Sequence, residues 1–201
     1  LALQTTCRAI NGLKNKTAIK EQMGRTIEQL NKLIYGSKLF INSFSGLETK
    51  LVVLPEYFLT GFPMGEPIQT WASRACISLD GEECDRLSKV AQDNGVFLSG
   101  NAYELDDNFP EIYFQTSFII APNGDVILRY RRLISMYSPT PHDLLDRYVE
   151  LYGDDSLFPV VNTEIGNLAA IASEEILFPE LARALALRGA EIICHSSSEV
   201  G

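Results

Sequence analysis

The feature that most restricts the fold of this chain is an alternation. Short continuous apolar runs of strand length are separated by stretches whose apolar residues recur every three or four positions. Leu51 to Leu54 is one such run; it ends at Pro55 and carries Glu56 beyond its C-terminal end, as a strand buried on both faces would. Ahead of it, LALQTT reads as a short strand, and Thr17 to Leu33 lines up Ile19, Met23, Ile27, Leu30 and Leu33 as one face of an amphipathic helix. Behind it comes a loop punctuated by Gly61, Pro63, Gly65 and Pro67. Asp80, with Glu83 three residues on, then has the form of a capping box. The next helix shows Cys84, Leu87, Val90 and Ala91 on one face and closes at Asn94-Gly95.

From Val96 the period shortens to that of strands: VFLSGNAYE, then IYFQTSFIIA, a hairpin turn at Asn123-Gly124, and VILRYRR. PVVNT and NLAAIA flank a further turn at Glu164 to Gly166. FPELARALALRG then reads as a helix with Leu181, Ala184, Leu185 and Arg188 at helical spacing and Gly189 as its stop, and AEIICHS as a last strand. These elements predict an α/β protein with a mixed sheet, covered by helices on one face and by another apolar layer on the other.

Bulk properties narrow the class. A chain of 201 residues, 46% of them hydrophobic, suits one domain over residues 1–201 with one sizeable core. The 26 acidic and 17 basic residues leave a formal charge of −9, and the Lys and Arg are scattered, which disfavours nucleic-acid and anionic-membrane partners. No apolar run nears the roughly 20 residues that span a bilayer. LALQTTC has neither a basic leader nor an apolar stretch of signal-peptide length, so a cytoplasmic location is expected. Cys7, Cys76, Cys84 and Cys194 lie far apart with only His142 and His195 to join them, so reduced thiols are expected and neither a metal nor another cofactor. With no initiator Met and an end at Gly201 directly after an expected strand, the chain reads as one lacking its C-terminal part.

Three segments carry chemistry. LVVLPEYFLTGFP surrounds Glu56, ILRYRRLIS surrounds Arg132, and IGNLAAIASEEILFPELARALALRGAEII surrounds Ser173. Together, and in this order, they resemble the carbon-nitrogen hydrolase, or nitrilase, superfamily. The resemblance implies an αββα sandwich that hydrolyses a non-peptide amide or nitrile C–N bond through a covalent acyl intermediate. In that family a Glu is the general base, a Lys supports the oxyanion and a Cys attacks the carbon. Glu56, Arg132 and Ser173 stand at these three positions. The resemblance also implies substrate contacts from Tyr57, Tyr130, Glu174, Glu175 and His142, and pairing into a homodimer or larger homo-oligomer through the segment from Gly65 to Ser73 and FPELARALALRG.

Two of the three catalytic positions depart from the pattern. A guanidinium is planar, bulkier than an ammonium and does not readily release its proton. A serine hydroxyl is a far weaker nucleophile than a thiolate, and no His or Lys stands in these motifs to activate it. Ser173 reads as a nucleophile, as an engineered Cys replacement, or as a hydroxyl capping the following helix, the usual role of a small polar residue at such a turn; Arg132 reads also as an edge-strand residue paired with a surface acid. Two functions are therefore expected to compete. One is a carbon-nitrogen hydrolase of impaired activity. The other is a non-catalytic homologue that binds a carboxamide or carboxylate, with Arg132 gripping an anion, or that serves as a structural subunit.

Overall fold

Helix α1 (Lys16–Ser45) begins where the Asn15 side chain accepts a hydrogen bond from the Thr17 backbone N–H at 2.8 Å, and ends at Gly46, whose φ of 69° a residue with a Cβ adopts only under strain. The computed structural model describes residues 1–135 and 137–198. The helix is longer than its apolar stripe predicts, running through Gly36 to its stop at Gly46. Its buried stripe runs Ile19, Met23, Ile27, Leu30 and Ile34; Leu33, expected on it, is about half exposed. The opening residues do not form a strand. Only Ala2 bridges to Val53, with Leu1 and Leu3 half-buried against the core.

Strand β1 (Leu51–Val53) is followed by α2 (Ile68–Ala75) and α3 (Glu82–Asn94). The expected capping box at the head of α3 is absent: Gly81 is the N-cap and no side chain caps it. Glu82, Glu83 and Asp85 instead place negative charge on the first turn, where the helix dipole favours it. β2 (Phe97–Glu104), β3 (Phe114–Ile120) and β4 (Val126–Arg131) complete a four-stranded sheet of order β1-β2-β3-β4, parallel between β1 and β2 and antiparallel thereafter. After α4 (Leu145–Tyr152), β5 (Val161–Thr163), β6 (Gly166–Ala172) and β7 (Ile192–Ser196) form a second mixed sheet, with α5 (Pro179–Leu187) between β6 and β7.

The layering follows from which residues are covered. One face of the first sheet meets α1, α2 and α3 through Val52, Leu98 and Phe118 packed on Ile27, Trp71 and Leu87. Its other face meets the second sheet through Phe97, Ile119, Leu128 and Tyr130 against Leu168, Ala170 and Cys194. All eight residues of β2 are consequently buried, which is why that strand shows no apolar-polar alternation. The arrangement is an αββα sandwich built on two mixed sheets. Among the described residues no helix is long and apolar enough to cross a membrane.

Candidate active site

Glu56, Arg132 and Ser173 come from different strands and converge on one pocket of about 620 Å3. The two sheets are stitched at the edge where this happens. The Ser196 hydroxyl at the end of β7 donates to the Leu54 carbonyl beyond β1 at 3.0 Å, and the Glu56 backbone N–H donates to the Ser197 carbonyl at 3.4 Å. The end of β1 is thereby held over the ends of β6 and β7, in the crevice beyond strand ends where α/β folds place ligands.

Glu56 is nearly inaccessible, and neither of its carboxylate oxygens makes a hydrogen bond among the described residues. Burial pushes its carboxyl up to about 7, against the opposing charge of Arg132, whose Nη1 lies 3.6 Å from Oε1. The Ser173 hydroxyl approaches Glu56 and eases its ionisation without closing a well-formed hydrogen bond. Tyr57, next in the chain, has a φ of 45°, stacks on Tyr103 with ring centroids 4.0 Å apart and donates to Gln115 Oε1 at 2.7 Å.

Arg132 follows the last residue of β4. Its Nε donates to the Ile134 carbonyl at 2.6 Å, its Nη1 donates to Gln115 Oε1 at 2.7 Å, and its Nη2 forms an ion pair with Glu174. Although it follows an edge strand, it is buried and faces the site, paired with Glu174 of the pocket lining and not with a surface acid. Gln115 fixes it further, because its Nε2 donates to the hydroxyls of Ser135 at 3.0 Å and Ser138 at 2.6 Å, leaving its oxygen free to face Arg132 and Tyr57.

Ser173 is not a helix cap. It is the first residue of a 3-10 turn, Ser173–Leu177, it has a φ of 52°, and no side-chain cap bond is made there. A residue with a Cβ held at such a φ between a strand and a helical turn projects its side chain into the space beyond the sheet. His195 supports the turn: its Nε2 donates to the Ser173 carbonyl at 2.9 Å, which fixes the protonated nitrogen of the ring. Glu174 and Ser173 both line the pocket. Burial works against ionisation of Glu174, but hydrogen bonds from Ser173 and its own backbone N–H, with the charge of Arg132, hold its carboxyl below the usual range.

The other expected contact residues divide. Tyr57 lines the pocket; Tyr130, Glu175 and His142 do not. The pleat turns Tyr130 into the core between the sheets, where its hydroxyl donates to Glu175 Oε1 at 2.7 Å. Glu175 is wholly buried and also accepts from the backbone N–H of Leu133 at 2.9 Å and of Ala172 at 3.2 Å, so it ties the segment after β4 to the end of β6. Burial raises its carboxyl above the ordinary value. His142 is exposed on a separate groove with Leu133, Asp143 and Phe158. Gln115, Tyr103 and Tyr113 line the pocket without being singled out by any motif; they arrive there through the register of β2 and the segment leading into β3.

Residues 13–201 match the carbon-nitrogen hydrolase family. The chain is 28% identical over 188 residues to nitrilase 2 of Arabidopsis thaliana, covering 87% of this chain and 50% of that protein. It is 30% identical over 165 residues to a cyanide hydratase of Microdochium sorghi, covering 76% of this chain and 42% of that protein. It thus spans about half the length of the curated relatives it matches. Its fold superposes on a carbon-nitrogen hydrolase from Helicobacter pylori G27 with a TM-score of 0.67 at 20% identity, over 98% of this chain and 58% of that one. With its motifs, its αββα layering and a family match over nearly its whole length, the chain belongs to the carbon-nitrogen hydrolase family.

Proposed function

We propose that this chain holds a small uncharged amide or nitrile in the Glu56–Ser173 pocket and does not turn it over by the family's rapid acyl-enzyme route. The observation that carries this reading is the state of Arg132: its Nε and Nη1 donate to Ile134 and Gln115, and its Nη2, which closes no well-formed hydrogen bond among the described residues, is held in an ion pair by Glu174. Stabilising an oxyanion requires a donor aimed at the vacant point where charge develops, and this cation is turned onto the protein instead.

The nucleophile position points the same way. For acyl transfer, Ser173 Oγ would bond to the carbonyl carbon while its proton passed to Glu56, after which the C–N bond would break and ammonia leave. Water would then release the acid. A carboxyl near 7 is suitably poised to shuttle the proton, but a serine hydroxyl is far less acidic than a thiol and gains little from that base without an oxyanion site. A slow serine route is the second reading, favoured by the retained positive-φ turn at Ser173 beside that raised carboxyl.

Calorimetry and mass spectrometry with small amides and nitriles separate the two. Saturable binding with no acyl adduct on Ser173 is the expected result. Ser173→Cys alone should stay nearly silent, whereas Ser173→Cys with Arg132→Lys should acylate measurably, because thiolate and compact cation return together. Turnover by the parent that vanishes in Ser173→Ala would establish a serine hydrolase and overturn the reading.

A further inference from the structure

We infer that the pocket selects its ligand by charge and hydrogen-bond donors, taking a primary carboxamide and excluding the matching carboxylate, with Glu174 as the residue that enforces the exclusion. This rests on the binding role proposed above and narrows it. Two independent features carry it.

The first is that the anion Arg132 could grip is already supplied from within. Glu174 follows Ser173 on the turn, and its carboxylate is paired with Arg132 while its side chain remains about 30% exposed toward the pocket. Glu56 lies on the other side of the same guanidinium at 3.6 Å. Arg132 is the single cation among the described residues lining the pocket, and Glu66 at the rim is paired with Arg74 at 3.2 Å. A ligand carboxylate would therefore enter as a further negative charge beside two others, with no free cation to meet it.

The second is that Glu56 lines the pocket with both its carboxylate oxygens buried and closing no well-formed hydrogen bond among the described residues, although the Ser173 hydroxyl and the Ser198 backbone N–H approach them. They are acceptors waiting for donors. The NH2 of a primary carboxamide supplies two N–H groups; a carboxylate and a nitrile supply none. Binding that satisfies a buried orphan acceptor discriminates strongly against ligands that leave it unmet.

The test uses isobutyramide, isobutyronitrile and isobutyrate at pH 8, titrated by calorimetry into the parent, Glu174→Gln, and Glu174→Gln with Arg132→Gln. The parent should bind the amide at least about tenfold tighter than the acid or the nitrile. Glu174→Gln frees the guanidinium and should gain at least about tenfold in affinity for isobutyrate, and removing Arg132 as well should abolish that gain. Parent affinity for the acid equal to that for the amide would overturn the inference. So would no gain in Glu174→Gln, as when Glu56 collapses onto Arg132, or a gain that persists without Arg132. A parent that binds no amide, while Glu174→Gln still gains the acid through Arg132, would sink the binding role but leave the exclusion standing. Circular dichroism checks the fold of each variant, and Glu174→Ala removes the same charge should the glutamine variant not fold.

Discussion

Ser173 and Glu56 are each held in a state that a free residue would not choose, and both states are measurable. Ser173 sits at a φ of 52°, in the left-handed region that penalises a Cβ. Ser173→Gly should stabilise the protein by about 0.5–1 kcal/mol in urea unfolding, and Ser173→Val should destabilise it by more than about 1 kcal/mol, since β-branching aggravates the same strain. Glu56 has its carboxyl raised by burial from the ordinary 4.5 to about 7. Between those two pH values the folded state binds more protons than the unfolded one, so this group makes stability fall as pH rises through that window. Glu56→Gln should match the parent near pH 4.5 and exceed it by about 1–3 kcal/mol at pH 8. Equal pH slopes for the two proteins would show that the carboxyl is not shifted.

At the scale of elements, β4 does two jobs because a pleated strand turns neighbouring side chains to opposite faces. Tyr130 goes between the sheets to Glu175, while Arg131 goes the other way, into a cage where its guanidinium meets Glu104 at 2.6 Å and Asp106 at 2.6 Å and lies 4.3 Å from the centre of the Phe114 ring. Tyr148 and Tyr152 of α4 complete the cage. Arg131 thus ties α4 to the first sheet and fixes the strand end from which Arg132 departs. Arg131→Met should cost about 3 kcal/mol, measured by urea unfolding, because it leaves Asp106 without its cation and buried Glu104 with Arg129 alone, at 3.4 Å. α4 itself escaped the sequence reading, although Leu145, Tyr148, Val149 and Tyr152 carry helical spacing. Its signal is short and lies in a stretch dominated by Pro and Asp.

For the whole molecule, the sandwich leaves apolar side chains uncovered on α1 and around α5. Tyr35, Leu39, Phe40 and Phe44 stand out along the second half of α1, and Leu177 and Leu187 flank α5, whose buried contribution is limited to Leu181 and Leu185. Patches of this kind favour association. Sedimentation should show self-association that grows with concentration, and Leu187→Glu should weaken it if α5 is the contact; a monomer at every concentration would argue against pairing. Much of this architecture was legible in advance. Apolar runs of strand length, helical stripes and the stops at Gly95 and Gly189 are local signals, set by side-chain periodicity and backbone sterics. The three motifs around Glu56, Arg132 and Ser173 named the positions that the fold brings together. The sequence by itself thus determined the order and kind of most elements and, of the pocket's lining, pointed to Glu56, Tyr57, Arg132, Ser173 and Glu174. Only the tertiary structure decided what those residues face. That Glu174 and Gln115 occupy Arg132, that Tyr130 and Glu175 brace the core instead of lining the pocket, and that Glu56 is buried with its oxygens unmet among the described residues all depend on distances between side chains far apart in the chain. Such distances are fixed by how the two sheets pack, and no local pattern encodes them.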